Sequence, residues 1–513
     1  MAVIDTAASA PGFNWMILGF TIAAFGGAAV AGWIATVRPA LAADDLIDID
    51  LLSEDLPYRP EARLVTILET MLVILLGIYI LFDHAGAWLH IPGTPLFIGE
   101  LTIILGLGAM ASMKLPIGKA VRRSPALKAL TLWMAWGALL LLLAISRFGI
   151  DAIRDSALWY YGISAVFSTF LLISNPARLG TWLALYRKVM PWILAWFPVA
   201  IILNASMRDV LPQVPFSTVP IVSHKTGNIA VFTAIYLAYI WLVEREDAFY
   251  SDTQRNVLTS GGILLILIAG MQNRGGLVAS AIGLTVTIVL MKRRRSEFGF
   301  VVGGAVVITL TLALVSNVSI PLFGGREVSA QQLMTNISSI VDPGSGSTRE
   351  TGTTQWRLAI WGQVLEDVAT DSPLSGFGPG PDLGEIYGFG GAAEETLRNP
   401  HNSHVGVLAR MGFVGMVGWA SLWTVWAMQL LLLRQRLNRR GRRPEAAVAA
   451  WLVISALMIL INAVFDPTLE GPQVAIWLWV LFGIGAALPL LYTGFESAWL
   501  GNAKEPVAAG DPL

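Results

Sequence analysis

Two of the five histidines in this sequence lie within one short stretch, between Pro400 and His404. Histidine is the side chain best suited to proton transfer near neutral pH, and His401 and His404 directly precede a strongly apolar segment. We therefore expect a general base in a loop at a membrane surface. The alternative is that both histidines only cap the following helix and lie at the level of the lipid headgroups. Asn402 or Ser403 is a competent N-cap in either case.

Two arginines are candidates for binding an anion. Arg274 lies between two apolar segments that almost no loop separates, where a charge is costly unless it is paired or solvated. Arg357 lies between Trp356 and Trp361 on a predicted helix. Guanidinium groups grip phosphate through paired hydrogen bonds, so both arginines suit a phosphate or pyrophosphate. The alternatives are that Arg274 extends to a lipid phosphate and that Arg357 is an ordinary surface charge.

Other polar side chains are predicted at the same membrane face. Arg410 lies inside an apolar helix, nine residues after the first histidine of the pair, so it should face a partner or a cavity. Asp466 and Glu470 have i, i+4 spacing and could bind a sugar or remain solvated. Arg154 begins the outer end of a helix, and Lys225 could border the same cavity.

Several kinds of chemistry are disfavoured. The chain contains no cysteine, which excludes disulfides, thiolate metal sites and cysteine nucleophiles. It has no phosphate-cradling Walker motif, which disfavours ATP-driven transport. The acidic pair Asp48 and Asp50 lies in an N-terminal linker, and two histidines alone do not make a metal site. No metal and no cofactor are therefore expected, and nothing in the charge distribution indicates nucleic acid as a partner.

The composition is that of an integral membrane protein. Hydrophobic residues make up 55% of the 513 residues and charged residues only 13%, whereas a soluble domain has about 25% charged residues. A spanning helix needs about 20 mostly apolar residues. Thirteen segments qualify, at residues 13–36, 64–83, 96–113, 129–146, 157–174, 191–207, 228–243, 257–273, 276–291, 299–318, 403–433, 446–464 and 473–493. Glu69 lies inside the second segment and should face protein rather than lipid.

Basic residues cluster in three loops, at residues 114–128, 292–295 and 434–443. An even number of predicted spans separates each cluster from the next, so the positive-inside rule places all three in the cytoplasm. The orientation of the first helix stays open. We expect an all-α polytopic bundle of about 12–13 spans, divided into an N-terminal helix with an acidic linker (1–63), a first bundle part (64–318), a large outer loop (319–402), a last bundle part (403–493) and a cytoplasmic tail (494–513).

The large outer loop carries its own predicted elements. Residues 354–369 have helical periodicity, and a second short helix is predicted over residues 327–341. The glycines between residues 375 and 380 predict a tight turn. On the first of these helices one face is apolar and is formed by Trp356, Ile360, Trp361, Val364, Leu365 and Val368, with Gln363, Glu366 and Asp367 away from it.

These residues resemble the O-antigen ligase and polymerase superfamily of bacterial envelope proteins. The ligase pattern is a His, then Asn, Ser or Gln, nine residues, a Gly, two residues and a small residue. His401, Asn402, Gly412 and Gly415 match this pattern in full. Further matches are Asn273-Arg274-Gly275, with Asn where the family has Ser, then Arg357 with Trp361, the turn Pro373-Leu374-Ser375-Gly376-Phe377-Gly378, and Asp466-Pro467 with Glu470-Gly471. The resemblance is strongest over residues 257–485 and weak before residue 150.

The resemblance implies a metal-independent, inverting glycosyltransferase in the bacterial inner membrane, with its active site on the periplasmic side. The donor would be a glycan on undecaprenyl pyrophosphate, and the acceptor would be lipid A–core or a second lipid-linked glycan. His401 would be the catalytic base, and Arg274 and Arg357 would bind the donor pyrophosphate. Acceptor contacts or support of the site would come from Asn402, His404, Arg410, Arg154, Asp466 and Glu470. A flippase and a chain-length regulator are further expected partners.

Three alternatives stay open. The complete His401 pattern favours an O-antigen ligase, whereas the long chain and the extra N-terminal helix favour an O-antigen or exopolysaccharide repeat-unit polymerase. A lipid-linked oligosaccharide flippase or another transporter would have charged residues along many helices and an internal repeat, and neither is seen. A non-catalytic assembly factor is the third alternative. The identity of the sugar, its linkage, the acceptor and the oligomeric state are not specified by the sequence.

Overall fold

A computed structural model of the protein describes residues 63–91, 96–113, 117–244, 249–291, 295–316, 320–322, 326–329, 332–333, 335–336, 348–388 and 398–491. The first bundle part contains α1 (Arg63–Phe82), α2 (His84–Ala87), α3 (Ile98–Met113), α4 (Ile117–Arg123), α5 (Pro125–Phe148), α6 (Ile150–Asp155), α7 (Ala157–Tyr160), α8 (Ile163–Ser174), α9 (Arg178–Ser206), α10 (Thr226–Leu242), α11 (Asp252–Gly270), α12 (Arg274–Leu290) and α13 (Arg295–Ser316). The large loop contains β1 (Ile320–Leu322), β2 (Arg326–Val328), α14 (Thr348–Asp371) and α15 (Leu383–Ile386). The last part contains α16 (Ser403–Arg439), α17 (Arg443–Phe465), α18 (Pro472–Ala487) and a final 3₁₀ turn (Leu488–Leu491).

The architecture is an all-α polytopic bundle, as predicted. Each predicted segment between residues 64 and 493 coincides with one helix or with a bent helix pair. Among the described residues, six helices are long and apolar enough to cross a membrane, and the number rises to eight if each of two bent pairs forms one span. This number of spans is smaller than the predicted number partly because α10 and α12 are apolar but only 17 residues long. The predicted N-terminal helix and the C-terminal tail lie outside the described residues.

Helix α10 lies at the centre of the bundle. Every residue from Gly227 to Leu242 is buried, so the helix must be apolar on all faces and shows no amphipathic period. It packs against α11, α12 and α17. Helices α10 and α12 come closest near their first residues, where a Cβ added to Gly276 would lie 2.6 Å from the Cα of Gly227. The two helices therefore begin side by side.

The charge inside the second apolar segment faces protein, as predicted. The Oε2 of Glu69 lies 2.7 Å from the Nε of Arg178, and its Oε1 accepts a hydrogen bond from the Nε1 of Trp182 at 2.8 Å. Arg178 also donates to the carbonyl oxygen of Leu171 at 2.9 Å. A carboxylate in an apolar segment is stable when it is paired and hydrogen-bonded in this way.

The loops that were predicted to lie at the outer face of the membrane meet at one end of the bundle. Asp83, which follows α1, accepts a hydrogen bond from the backbone N–H of Lys225, which precedes α10, at 2.7 Å. The Nζ of Lys225 lies 3.0 Å from the Oδ1 of Asp466, which follows α17. Asn336, in the large loop, donates to the carbonyl oxygen of Gly270 at the end of α11, at 2.9 Å. These contacts bring the loops after α1, before α10 and after α17 to the same end of the bundle. The side of the membrane that this end faces stays a prediction.

The large loop confirms one predicted helix and corrects another. The helix predicted over residues 354–369 is α14, on which Ile360, Val364 and Val368 are buried and Gln363 and Glu366 are exposed. The prediction of a helix over residues 327–341 was wrong at its start. Residues 326–328 form β2, which pairs antiparallel with the neighbouring β1, and this strand pairing overrides local helical preference.

Helix α16 is broken at Gly412, where the large loop docks. Gly412 has φ 64° and ψ −165°, a conformation that is essentially restricted to glycine. In an unbroken helix the N–H of Phe413 would donate to the carbonyl oxygen of Ala409. Here the N–H of Phe413 donates to the carbonyl oxygen of Pro373, and the Ala409 carbonyl accepts from the N–H of Phe377, both at 2.8 Å. The glycine-rich turn thus exchanges backbone hydrogen bonds with the broken helix.

Glycine is required on both sides of this junction. A Cβ on Gly412 would lie 2.4 Å from the carbonyl oxygen of Leu374, and a Cβ on Gly376 would lie 2.4 Å from that of Ala409. Gly376 also has a positive φ of 62°. Two backbones at this distance leave no room for any side chain.

We predict that Gly412→Ala lowers the free energy of unfolding by about 2 kcal/mol or more, because the backbone conformation costs an L-residue about 1–3 kcal/mol and the new Cβ also collides with Leu374. Thermal unfolding of the purified protein in detergent measures the effect. The control is Gly261→Ala in α11, where a Cβ meets nothing within 4 Å. Equal melting midpoints for the two variants would contradict this description of the junction.

Candidate active site

His401 lies at the turn that joins the large loop to α16. Its φ of 53° is in the left-handed region, which residues other than glycine adopt mainly at constrained or functional positions. The backbone N–H of His401 donates to the Oδ1 of Asn399 at 3.2 Å. The next residue, Asn402, accepts from the N–H groups of His404 and Val405 at 2.9 and 3.2 Å, which confirms it as the predicted N-cap.

Helix α14 contacts this turn through Trp361 and Trp356. The Nε1 of Trp361 donates to the carbonyl oxygen of Pro400 at 2.7 Å. The ring of Trp356 lies 5.9 Å from the ring of His401, in an edge-to-face arrangement. Within the described part of the chain, neither ring nitrogen of His401 makes a hydrogen bond, so both are available to a substrate.

The two arginines predicted to bind an anion lie on helices that both contact Phe465, at the end of α17. The Nη1 of Arg357 donates to the carbonyl oxygen of Phe465 at 3.1 Å. Arg274 is the first residue of α12, and the next residue, Gly275, packs so closely that a Cβ would lie 2.5 Å from the Cβ of Phe465. Both arginines are partly buried. The fold therefore brings α12 and α14 to one point, beside the loop that carries Asp466.

A lysine and two aspartates lie beside this point. The Nζ of Lys225 forms an ion pair with the Oδ1 of Asp466 at 3.0 Å, and the backbone N–H of Lys225 donates to the Oδ2 of Asp83 at 2.7 Å. Ser403 joins the same loop to the start of α16, because its Oγ accepts from the N–H of Leu469 at 3.2 Å. Asp466 was predicted at this face. Asp83 was not, because nothing in its local sequence indicates its partner on α10.

A second charged cluster anchors the end of the large loop. Arg410, predicted to face a partner or a cavity, is buried, and its Nη2 lies 2.9 Å from the Oδ2 of Asp155. Its Nη1 donates to the carbonyl oxygen of Pro381 at 2.6 Å. Arg398 lies 3.0 Å from Asp382 and 3.5 Å from Asp155. Asp155 and Asp382 were missed in the sequence, where each looks like an ordinary polar residue at an outer face.

Glu470 interacts with both groups of charges. The pKa of the Glu470 carboxyl is raised to about 8, chiefly by burial; Asp155 and Asp466 contribute to the rise, whereas Arg410 and Lys225 oppose it. The carboxyl makes no hydrogen bond to another described side chain. Glu470 therefore carries a proton at neutral pH and can donate a hydrogen bond to a ligand.

His404 is buried inside the bundle, whereas Arg154 is exposed. The Nε2 of His404 lies 2.9 Å from the carbonyl oxygen of Leu460, and its Nδ1 accepts from the Nε1 of Trp419 at 3.0 Å. Both ring nitrogens thus have partners inside the bundle. Arg154 is exposed on α6.

The imidazole of His401 is neutral in the free protein. The pKa of His401 is lowered to about 4, chiefly by burial and next by the guanidinium of Arg357; Lys225 also lowers it, whereas Asp466 raises it. A neutral ring can accept a proton at physiological pH. The site thus combines a free proton acceptor with cationic groups.

The segment that carries His401 and both arginines matches a known family. A family model described as O-antigen ligase matches residues 259–420. Over this segment, which is less than half of the 513-residue chain, the protein is similar to the O-antigen ligase family. Lys225, Asp466 and Glu470 lie outside the matched segment. A comparison with curated protein sequences finds no match to the chain.

In the O-antigen ligase segment and its surroundings, the described residues contain no group of three or more His, Asp or Glu side chains that could hold a metal ion. The groups that converge are cationic side chains, a neutral imidazole and a protonated carboxyl. This set can bind an anion, accept a proton and donate a hydrogen bond.

We predict that Asp155→Asn destabilises the protein by about 3 kcal/mol, because removal of one partner leaves a buried charge uncompensated on Arg410. The matched control is Asp151→Asn on the same helix. Its carboxylate is 44% exposed and lies 3.8 Å from Arg398, so its removal should change stability by less than about 1 kcal/mol. Thermal unfolding in detergent compares the two variants. A larger effect at Asp151 would contradict the anchoring role of Asp155.

Proposed function

We propose that the protein is a membrane glycosyltransferase that moves a glycan from undecaprenyl pyrophosphate to an acceptor, at the periplasmic face of the bacterial inner membrane. The observation that carries this proposal is that a neutral His401 lies beside Arg357, whose Nη1 binds the Phe465 carbonyl, in a segment similar to the O-antigen ligase family. Arg274 begins the helix that packs on the same Phe465. A proton acceptor next to fixed cations suits the attack of a hydroxyl group on a carbon that bears a phosphate leaving group.

In the proposed step, the oxygen of an acceptor hydroxyl attacks the anomeric carbon of the donor glycan. The bond from that carbon to the phosphate oxygen breaks, and its electron pair leaves with undecaprenyl pyrophosphate. The proton of the acceptor hydroxyl passes to a ring nitrogen of His401. Because a single displacement forms the new bond, the configuration at the anomeric carbon inverts.

The arginines act on the leaving group. Undecaprenyl pyrophosphate gains a negative charge as the bond breaks, and Arg274 and Arg357 offset that charge with donors that are already in place. Arg357 is held through Phe465, and Arg274 is held by the packing of Gly275. Preorganised donors stabilise the transition state without reorganisation at the moment of reaction.

Acceptor recognition is assigned to the residues that adjoin this point. Glu470, as a protonated carboxyl, would donate to a sugar oxygen, and Asp466 would accept from a sugar hydroxyl. Asn402 supports the site by capping α16, and Arg410 supports it by anchoring the loop. His404 and Arg154 are the weakest of the proposed acceptor contacts, because the first has partners at both ring nitrogens and the second is exposed.

We favour a ligase that uses lipid A–core as the acceptor. The complete pattern of His401, Asn402, Gly412 and Gly415 supports this choice. The alternative is an O-antigen or exopolysaccharide repeat-unit polymerase, whose acceptor is a second lipid-linked glycan. A flippase or transporter is less well supported, because the polar groups of the site converge at one end of the bundle. A flippase and a chain-length regulator would be partners of either enzyme.

We predict that His401→Ala lowers the transfer rate by about 10²–10⁴-fold, the usual contribution of a general base. The assay uses purified protein and a lipid-linked glycan donor, without added metal, and supplies lipid A–core and a second lipid-linked glycan in parallel. Glycan on lipid A–core indicates a ligase, and a ladder of repeats on the lipid carrier indicates a polymerase.

The control for this variant is His90→Ala, which changes a histidine in the outer loop before α3 that contacts Phe97. It should retain the wild-type rate. Full activity of His401→Ala would contradict the proposed base. Absence of any product from the wild-type protein with both acceptors would contradict the proposed function itself.

We predict that activity falls above about pH 8, where Glu470 loses the proton that it donates. Its pKa is raised, so the donating form is present below about pH 8 and disappears as the pH rises through that value. Glu470→Gln keeps a donor but cannot ionise, so its rate should not fall over this range. Asp209→Asn, at an exposed outer position, is the control. If the rate of Glu470→Gln fell above about pH 8 as the wild-type rate does, this role for Glu470 would be ruled out.

A further inference from the structure

Lys225 has no role in the step proposed above, yet it is held in a defined position beside the site. It is the N-cap residue of α10, the central helix, and its backbone N–H is bound by Asp83. Asn228, on the first turn of α10, donates to the other oxygen of Asp83 at 3.0 Å. Asn462, on α17, donates to the Oδ1 of Asn228 at 3.2 Å. Three helices thus fix the point from which the side chain of Lys225 extends.

The ammonium group of Lys225 is only partly used. Its ion pair with Asp466 occupies one of its three N–H donors. No other hydrogen bond of Nζ to a described residue is present. The side chain of Lys225 is 34% exposed, whereas that of Asp466 is 16% exposed. The lysine therefore retains donors and an open side toward a ligand.

The position of Lys225 relative to the arginines follows from the packing of two helix starts. Gly227 and Gly276 are in direct contact, so Lys225 at the start of α10 and Arg274 at the start of α12 lie on neighbouring helix ends. Arg357 approaches from the loop and binds the carbonyl oxygen of Phe465, the residue before Asp466. Two cationic side chains, Lys225 and Arg357, thus meet at the Phe465–Asp466 corner, and the helix that begins with Arg274 packs on Phe465.

We propose that Lys225 is a third cationic ligand of the donor pyrophosphate, and that it exchanges its ion pair with Asp466 for a phosphate oxygen when the donor binds. The proposal rests on the proposed glycosyl transfer and adds a residue to its donor site. A pyrophosphate offers several charged oxygens, so it can satisfy donors of Lys225 that one carboxylate leaves unused.

The exchange would also change the surroundings of His401. The charged groups that act on this imidazole are Arg357 on α14, Lys225 before α10 and Asp466 after α17. Once Lys225 turns to phosphate, Asp466 loses its partner and can stabilise the imidazolium that forms when His401 accepts a proton. Donor binding would thereby make His401 a stronger base at the point where a base is needed.

The test compares Lys225→Met, Lys225→Arg and Lys188→Met, the last at an exposed lysine on α9. Initial rates are measured against donor concentration, and inorganic pyrophosphate serves as a competing ligand. For Lys225→Met we expect the KM for the donor and the inhibition constant of pyrophosphate to rise about tenfold or more, the effect of losing one charge-assisted hydrogen bond. Lys225→Arg should retain most of the affinity, and Lys188→Met should match the wild type.

Calorimetric titration of pyrophosphate into the same proteins separates this proposal from the proposed function, because binding needs no transfer. Pyrophosphate binding that weakens only in Lys225→Met supports the donor role even if no transfer product forms. A Lys225→Met protein with a wild-type melting midpoint, donor KM and pyrophosphate affinity would overturn it. A lower melting midpoint with unchanged pyrophosphate affinity would do the same, since it would show that the lysine serves only the fold.

Discussion

The site depends on the exchange of backbone hydrogen bonds at Gly412. Because Phe413 donates to Pro373 and Phe377 donates to Ala409, the large loop completes a helix that would otherwise contain an unsatisfied break. An unpaired backbone group at this buried position would be costly, so the loop is held at a fixed place on α16. That constraint sets where α14 lies, and with it the position of Trp356 and Arg357 relative to the turn at His401.

The electrostatics of the site follow from the same assembly. Charges at the outer end of the bundle are partly buried, so each needs a partner or a ligand. Arg410 has its partner in Asp155, and the pair contributes to the anchor of the loop. Burial and the nearby cationic groups keep His401 neutral, whereas burial keeps Glu470 protonated in spite of its cationic neighbours. A membrane-embedded site thus obtains a proton acceptor and a hydrogen-bond donor from ordinary residue types.

The sequence was informative where the relevant interactions are local. The cap at Asn402, the apolar face of α14 and the spanning segments all follow from periodicity and residue type over a few turns. Partners that are distant in the chain could not be predicted, such as Asp155 for Arg410. The strand that replaced the start of the helix over residues 327–341 pairs with residues 320–322, and residue type alone did not indicate that pairing. His404 shows the same limit, because its residue type suggests chemistry but its partners, Trp419 and the Leu460 carbonyl, depend on packing between helices.

The most direct measurement of the central claim is the anomeric configuration of the new glycosidic bond, determined by NMR on the product formed from a donor of known configuration. If His401 deprotonates the acceptor for a single displacement, the product has the configuration opposite to that of the donor. Retention of configuration would mean that the glycan passes through a covalent intermediate on the enzyme. That result would contradict the role of His401 as the base and would move the search for the reacting group to the carboxylates of Asp466 and Glu470.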